Sequence, residues 1–158
     1  MTKKLARLAL LTALSLLAAW LEATLLPPLG IPGAKVGLAN LFTVLALQIY
    51  GVREALGVTL ARVLLSALLF GSLASLIYAL SGALLAVGTM ALVRKTRRFS
   101  CVGVSVAGGV SHNLGQLAAA ALAAQTVGLA AYLAPLMAAG ALAGFVNGLV
   151  ALLILRRL

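Results

Sequence analysis

The stretch ALVRKTRRFS, residues 91–100, interrupts a largely apolar chain with four basic side chains. Basic clusters also lie near both ends of the chain. One ends at Arg7 and precedes the first long apolar segment, and the other, Arg156 and Arg157, follows the last apolar segment. In membrane proteins Lys and Arg collect in cytoplasmic loops. We therefore expect all three clusters on the cytoplasmic side, which requires an even number of membrane spans between successive clusters.

The apolar segments on either side of this stretch satisfy that requirement, since four lie before it and two after it. Most of them approach the roughly 20 residues that a spanning helix needs. The predicted spans are residues 8–26, 36–50, 54–70, 72–93, 102–125 and 135–155. The sequence thus predicts an all-α integral membrane protein of the cell membrane, with six transmembrane helices, cytoplasmic N and C termini, and one transmembrane domain over residues 1–158.

Composition excludes several classes of protein. Of the 158 residues, 64% are hydrophobic and 9% are charged, whereas soluble domains have about 45–50% apolar and about 25% charged residues. A soluble globular protein is therefore excluded. The net charge of +10 is explained by the positive loops of a membrane protein, so we expect the lipid bilayer, and no nucleic acid, as a partner.

The scarcity of acidic residues also argues against an enzyme. Glu22 and Glu54 are the only two acidic residues, and the chain contains no Asp. Magnesium-dependent chemistry on diphosphates draws on carboxylate ligands, and no phosphate-binding GxxxxGK[ST] motif occurs. One Cys and one His are too few for a structural zinc site. We expect no catalytic residue, no metal and no cofactor.

The first 35 residues allow two interpretations. Basic residues followed by an apolar run are typical of a signal peptide, but residues 8–26 exceed the usual apolar region of about 7–15 residues, and their removal would break the even count of spans. We favour a membrane span. The following loop, residues 27–35, is rich in Pro and Gly, which break helices and stiffen the chain, and we expect it to act as a lid.

Small residues recur one helical turn apart in two places. Ala9 and Ala13 form an AxxxA pair, and Gly140, Gly144 and Gly148 form a double GxxxG. Such faces let helix backbones approach closely in lipid. We expect the glycines to pack inside the bundle. For the alanines, internal packing and a lipid-facing site for a partner protein are both open.

Polar side chains inside the predicted spans lie between the bilayer centre and its outer surface, which predicts a cavity that opens towards the outside. Ionisable groups at the bilayer centre cost about 2.5–3.5 kcal/mol on insertion scales and are functional candidates. The candidate substrate-binding residues are Lys35, Asn40, Arg62, His112, Asn113 and Gln116, with Glu22, Ser81 and Asn147 as possible members.

Each candidate also has a purely structural interpretation. Glu22 and Arg62 would lower their cost by pairing. His112 and Gln116 lie one turn apart on the fifth helix, with Asn113 about 100° round it, and such residues often only bond to neighbouring helices. Three polar residues within five positions favour a site. Lys35 and Arg62 make an anionic or strongly hydrogen-bonding ligand the better fit, and weaker hydroxyl signals come from Ser66 and Thr43.

Four segments resemble a bacterial family known both as heptaprenyl diphosphate synthase component I and as the Gx transporter family. They are IPGAKVGLANLFTVLAL (31–47), GVREALGVTLARVLLSALLFG (51–71), ALSGALLA (79–86) and GGVSHNLGQL (108–117). PGAKVGLAN and SHNLGQ are the more specific motifs, and the similarity covers nearly the whole chain. This family in turn resembles the S components of energy-coupling factor (ECF) transporters, the substrate-binding membrane subunits.

The resemblance implies a six-helix, S-component-like bundle with both termini inside. It implies three partners: a transmembrane T component and two cytoplasmic ATPases, with a small-molecule substrate captured from outside. In that wider group an AxxxA pair on the first helix contacts the T component, which corresponds here to Ala9 and Ala13.

The two family names imply different functions. Familiar prenyl synthases hold magnesium diphosphate with two aspartate-rich motifs, and a chain without Asp does not have them. The expected function is therefore substrate binding for uptake. The alternative is a non-catalytic membrane accessory subunit of a polyprenyl (heptaprenyl) diphosphate synthase, and a channel or proton-coupled carrier is a third possibility.

Overall fold

The computed structural model of the chain describes residues 2–25 and 37–158. Within these residues the secondary structure is entirely helical, which confirms the all-α prediction. The helices are α1 (Thr2–Leu25), α2 (Asn40–Ile49), α3 (Val52–Phe70), α4 (Leu73–Lys95), α5 (Cys101–Ala124) and α6 (Leu133–Leu155), with a short 3₁₀ helix at Gly128–Tyr132 before α6.

Serine side chains begin two of the helices. Ser72 and Ser75 form a reciprocal capping box at the start of α4, in which the Ser75 N–H donates to Ser72 Oγ over 3.1 Å and the Ser72 N–H donates to Ser75 Oγ over 2.7 Å. Ser100 Oγ accepts from the Gly103 N–H at the start of α5. These bonds satisfy amides that the first turn of a helix leaves without a partner.

Helix α2 is shorter than the predicted span of residues 36–50. It has 10 residues, which at 1.5 Å per residue cover about half of a ~30 Å hydrocarbon core. Gly37 precedes it with φ of +71°, a left-handed conformation that glycine adopts without a steric cost and that a helix does not contain. Lys35 and the expected lid lie outside the described residues.

Three of the helical segments are long and apolar enough to cross a membrane: Thr2–Leu25, Leu73–Lys95 and Gly128–Leu155. Helices α3 and α5 are outside that group. Helix α3 contains the charged residues Arg53, Glu54 and Arg62, and α5 contains His112, Asn113 and Gln116. The complete set of six spans and the side on which the termini lie remain predictions.

The bundle has an apolar exterior and polar groups in its interior. Leu68 and Leu122 are 82% and 80% exposed, whereas Arg62 and Asn147 are 7% and 4% exposed. A water-soluble protein shows the opposite arrangement, because charged residues are almost never buried without a partner and large apolar patches are seldom left exposed. Together with the apolar helices, this surface indicates a membrane protein.

One end of the bundle has a well-packed apolar core, in which Val44, Leu47, Val87 and Val104 are buried. The residues that flank the three basic clusters in sequence pack against this core. They are Leu8, Val93, Cys101 and Leu155. All three basic clusters therefore lie at the same end, which we call the basic end.

Helix α5 packs closely against both α4 and α6 through glycines. A Cβ at Gly144 would lie 2.6 Å from the Ser105 carbonyl oxygen and 2.7 Å from Val106 Cα, and a Cβ at Gly115 would lie 2.8 Å from the Ser81 carbonyl oxygen. Gly140 and Gly148 meet α5 in the same way. The expectation that the α6 glycines pack inside the bundle is confirmed.

Candidate functional site

A cavity of about 180 Å³ lies in the half of the bundle away from the basic end, and all six helices contribute to its wall. The structure brings seven of the nine candidate residues to this cavity. They are Glu22, Asn40, Arg62, His112, Asn113, Gln116 and Asn147. Ser81 is not among the lining residues, and Lys35 lies outside the described part of the chain. The role of these residues in binding remains a prediction.

Arg62 is the charged group at the centre of the cavity. It lies on α3 and is 7% exposed. Its Nε and Nη2 atoms are buried and have no hydrogen-bond partner within the described residues. A buried polar group without a partner costs free energy, and a buried charge costs more. No described residue hydrogen-bonds to these two atoms of the guanidinium.

Glu22 interacts electrostatically with Arg62, as the structural interpretation of the sequence expects, but its hydrogen bonds go to other groups. Its Oε1 accepts from the Gly37 N–H over 2.7 Å and its Oε2 accepts from the Leu38 N–H over 3.0 Å. These two amides precede α2, where backbone N–H groups lack helical partners and the helix dipole favours a negative charge. The carboxylate of Glu22 is thus satisfied without Arg62.

The turn formed by residues 37–39, which we call the 37–39 turn, is also held by two other side chains. Asn147 Nδ2 on α6 donates to the Gly37 carbonyl oxygen over 2.9 Å, and Ser15 Oγ on α1 donates to the Ala39 carbonyl oxygen over 3.0 Å. Ser15 is fully buried and escaped the sequence analysis. Its one available signal was a hydroxyl in an otherwise apolar helix, which is a common occurrence.

The polar residues of α5 differ in what they contact. Asn113, 4% exposed, donates from Nδ2 to the Leu136 carbonyl oxygen over 2.7 Å and so joins α5 to α6. Gln116 Oε1 is buried without a hydrogen-bond partner in the described chain. Gly82 of α4 lies against His112 and Gln116, since a Cβ there would be 2.7 Å from Gln116 Cγ and 3.1 Å from His112 Cε1. Glycine at this position leaves both side chains their space.

The weaker candidates, the hydroxyl groups of Ser81, Thr43 and Ser66, each have a hydrogen-bond partner within the protein. Ser81 Oγ donates to the Ile77 carbonyl oxygen of its own helix over 2.8 Å. Thr43 and Thr59 share a buried hydroxyl–hydroxyl bond of 2.9 Å between α2 and α3. Ser66 lines the cavity. Its bond, like that of Ser81, is to its own helix, from Oγ to the Val63 carbonyl oxygen over 3.0 Å.

The rest of the cavity wall is mainly apolar. Val63, Phe70, Leu76 and Met90 supply much of it, so a ligand would meet a cation and amides on one part of its surface and hydrocarbon on the other. Such a combination is usual for small-molecule sites. The described residues contain no group of three His, Cys, Asp or Glu side chains that would hold a metal ion.

A second feature lies on the outer surface, between α1 and α3. Ala9 and Ala13 are exposed and line a groove together with Gly57 and Ala61 of α3. A Cβ at Gly57 would have no atom within 4 Å. The alanine pair is thus exposed in a groove and is not used for close packing within the described bundle. The partner-protein interpretation remains a prediction.

Comparison with known proteins yields one match. No curated protein and no solved structure matches the chain. The family model described as heptaprenyl diphosphate synthase component I matches residues 11–154, more than nine-tenths of the chain. That range contains every described residue of the cavity and agrees with the resemblance seen in the sequence motifs. The chain therefore belongs to the heptaprenyl diphosphate synthase component I family.

Proposed function

We propose that the protein is a substrate-binding membrane subunit, similar to an S component, for the uptake of a small anionic or polar-headed metabolite. The observation that supports this most strongly is the buried guanidinium of Arg62, a residue that lines the cavity and whose Nε and Nη2 have no hydrogen-bond partner in the described chain. A charged group inside a membrane bundle is expensive, and an anionic ligand would offset that cost.

The direction of uptake follows from the basic end. Lys and Arg mark the cytoplasmic side of a membrane protein, and the cavity lies in the opposite half of the bundle. In this orientation the cavity belongs to the outer half of the membrane, both termini are cytoplasmic, and six helices form a single transmembrane domain. The protein then captures its ligand from outside and is itself no enzyme.

Energy for uptake would come from separate subunits. The chain has no phosphate-binding loop for ATP, so ATP hydrolysis requires partners: a transmembrane T component and cytoplasmic ATPases. The groove at Ala9 and Ala13 is the proposed contact with the T component. Its floor consists of small side chains, which allow a partner helix to approach closely in lipid.

Purification from native membranes in a mild detergent tests this function. We expect the tagged chain to bring down a second polytopic membrane protein and two ATPases, and to retain a small molecule that native mass spectrometry detects. Ala9→Trp with Ala13→Trp should lose the protein partners and keep the small molecule. A purified chain that hydrolyses ATP or elongates prenyl diphosphates alone would refute the proposal, as would transport by proteoliposomes of this chain alone.

A second function is favoured by the family description, which names one component of a synthase. In this case the chain is a non-catalytic membrane accessory subunit, and its partner is the other synthase component. The same purification distinguishes the two: recovery of a soluble prenyl synthase, with no T component and no ATPase, would establish the accessory role. The absence of Asp places the magnesium-binding motifs of such a pair on the partner.

A further inference from the structure

The unpartnered atoms of Arg62 are the two on one edge of the guanidinium. The N–H bonds of Nε and Nη2 point in the same direction, parallel to each other, and this fork matches the two oxygens of a carboxylate. Both atoms are buried and have no hydrogen-bond partner in the described chain. Glu22 does not bond to this edge, because it uses both of its oxygens on the Gly37 and Leu38 amides.

The charges of the described residues that line the cavity favour a ligand with few negative charges. Among the described residues that line it, Arg62 is the only Lys or Arg, and Glu22 brings a carboxylate of its own. A diphosphate carries two or three negative charges, and a buried charge without a counter-charge is costly. Arg62 and Glu22 already balance each other, so a monocarboxylate, with a single charge on the fork of Arg62, adds the smallest excess that an anionic ligand can bring.

A second unpartnered atom specifies another part of the ligand. Gln116 Oε1 is buried and accepts no hydrogen bond from the described residues. A buried acceptor is satisfied only by a donor, and an O–H or N–H of the ligand directed at α5 would supply it. The surrounding wall of Val63, Phe70, Leu76 and Met90 accommodates hydrocarbon.

The volume of the cavity sets the size of the ligand. A cavity of roughly 150 Å³ in another protein admits benzene, and this one has about 180 Å³. A compound of one ring, or a chain of similar bulk, with a carboxylate and one donor has this size. A long isoprenoid chain does not fit within such a volume.

We propose, building on the uptake function above, that the ligand is a small monocarboxylate with a hydroxyl or N–H donor. Its carboxylate binds side-on to Nε and Nη2 of Arg62, and its donor bonds to Gln116 Oε1. The apolar body of the ligand lies against the side chains of α3 and α4.

The test uses the full chain in lipid nanodiscs and three matched sets of probes. The first set contains hydroxybenzoates, hydroxyphenylacetates and aliphatic hydroxy acids of four to eight carbons. The second contains their primary amides, which lack the charge, and the third their phosphonates, which carry a tetrahedral anion. We expect members of the first set to raise the midpoint of thermal unfolding, and the amides and phosphonates to leave it unchanged. No binding by any hydroxy acid, or equal binding by amides or phosphonates, would overturn the proposal.

Two variants then assign the contacts. Arg62→Lys keeps the charge and removes the fork, and should weaken carboxylate binding at least about tenfold. Gln116→Met removes the acceptor, and should weaken hydroxy acids about fivefold while leaving the matched acids without a hydroxyl unchanged. Unchanged affinity in both folded variants contradicts the assignment. The comparison of acids with amides on the unaltered chain decides the ligand class even if Arg62→Lys fails to fold.

The result is separable from that of the purification experiment. A chain that assembles with ATPases but binds no hydroxy acid would refute the ligand class and leave the uptake function intact. A chain that binds hydroxy acids but assembles with a prenyl synthase would refute the uptake function alone.

Discussion

Helix α6 and helix α1 are attached to the bundle in different ways, although both contain small residues at one-turn spacing. Gly140, Gly144 and Gly148 of α6 lie directly on the backbone of α5, where a Cβ would approach within 2.5–2.7 Å of backbone atoms. Ala9 and Ala13 of α1 instead line an open groove. The motif alone therefore predicts close helix approach but does not specify whether the second helix belongs to the same chain.

Helix α1 packs Leu8 and Leu11 against the apolar core and is also held by polar contacts at three positions along its length. Glu22 and Ser15 bond to the 37–39 turn, and Lys4 forms an ion pair with Glu54 at the basic end. Between these contacts, its small residues remain open to the surroundings. An attachment of this kind keeps the helix in the bundle and leaves one surface available.

The largest effect is expected for Gly144→Leu. The side chain would collide with Ser105 and Val106 backbone atoms and should lower the free energy of unfolding by more than about 3 kcal/mol, measured by denaturation in mixed micelles. Gly88→Leu is the matched control because a Cβ there has no atom within 4 Å, and it should change stability by less than about 0.5 kcal/mol. Equal stability of the two variants would contradict the conclusion that α6, unlike α1, depends on close packing of its small residues within the chain.

Replacement of Glu22 should have the next largest effect on stability. Glu22→Leu leaves the partly buried Gly37 and Leu38 amides without acceptors, which should cost about 1–3 kcal/mol and release the end of α1 nearest the cavity. Hydrogen exchange at the Gly37 and Leu38 amides checks the cause. Ser81→Ala is the control, since its hydroxyl bonds only within α4, and slow exchange in Glu22→Leu would show that another group holds the turn.

Ala9→Trp with Ala13→Trp should change stability by less than about 0.5 kcal/mol, because both positions are exposed on the bundle. Its effect should be on assembly with the partner membrane protein, measured as loss of co-purification. Leu10→Trp is a control on the same helix, at a position that is exposed and lies outside the groove. A double variant that no longer folds would show that the alanines pack inside the chain.

The smallest effect is expected for Lys4→Met. Its Nζ lies against Glu54 and over the ring of Tyr50, 6.0 Å from the centroid. Exposed ion pairs contribute little and are screened by salt. We expect a small decrease in stability at low ionic strength that disappears in high salt. A decrease that persists in high salt would indicate that α1 depends on this end more than on Glu22.

The positions of the helices could be predicted from the sequence better than the hydrogen-bond partners of the buried side chains could. Apolar segments indicate residues that lie in lipid, and basic clusters indicate residues that lie in water, so helices were expected near 72–93 and 102–125. The structure has α4 at Leu73–Lys95 and α5 at Cys101–Ala124. Arg62 and the polar residues of α5 were expected to lie close together because they are at similar depths in their predicted spans. The lining of one cavity by seven candidates agrees with that expectation.

The partners of the buried polar groups were not predictable. Glu22 was paired with Arg62 by charge alone, yet it bonds to two backbone amides, and every residue except proline offers such an amide. Ser15 was missed for the same reason, because its acceptor is the Ala39 carbonyl oxygen. The short α2 depends on the conformation of Gly37, which no periodicity reveals.

The hydrogen bond from Asn147 to Gly37 joins residues 110 positions apart. During synthesis α1 and α2 leave the ribosome long before α6, so the Gly37 carbonyl oxygen waits for its donor until the last helix has been inserted. An unsatisfied carbonyl at that depth is costly in lipid. Helix α6 also contributes Ala151 and Leu155 to the core at the basic end, so both halves of the bundle are completed last. A chain truncated before α6 would lack one wall of the cavity and the third basic cluster, and would be open to quality-control proteases.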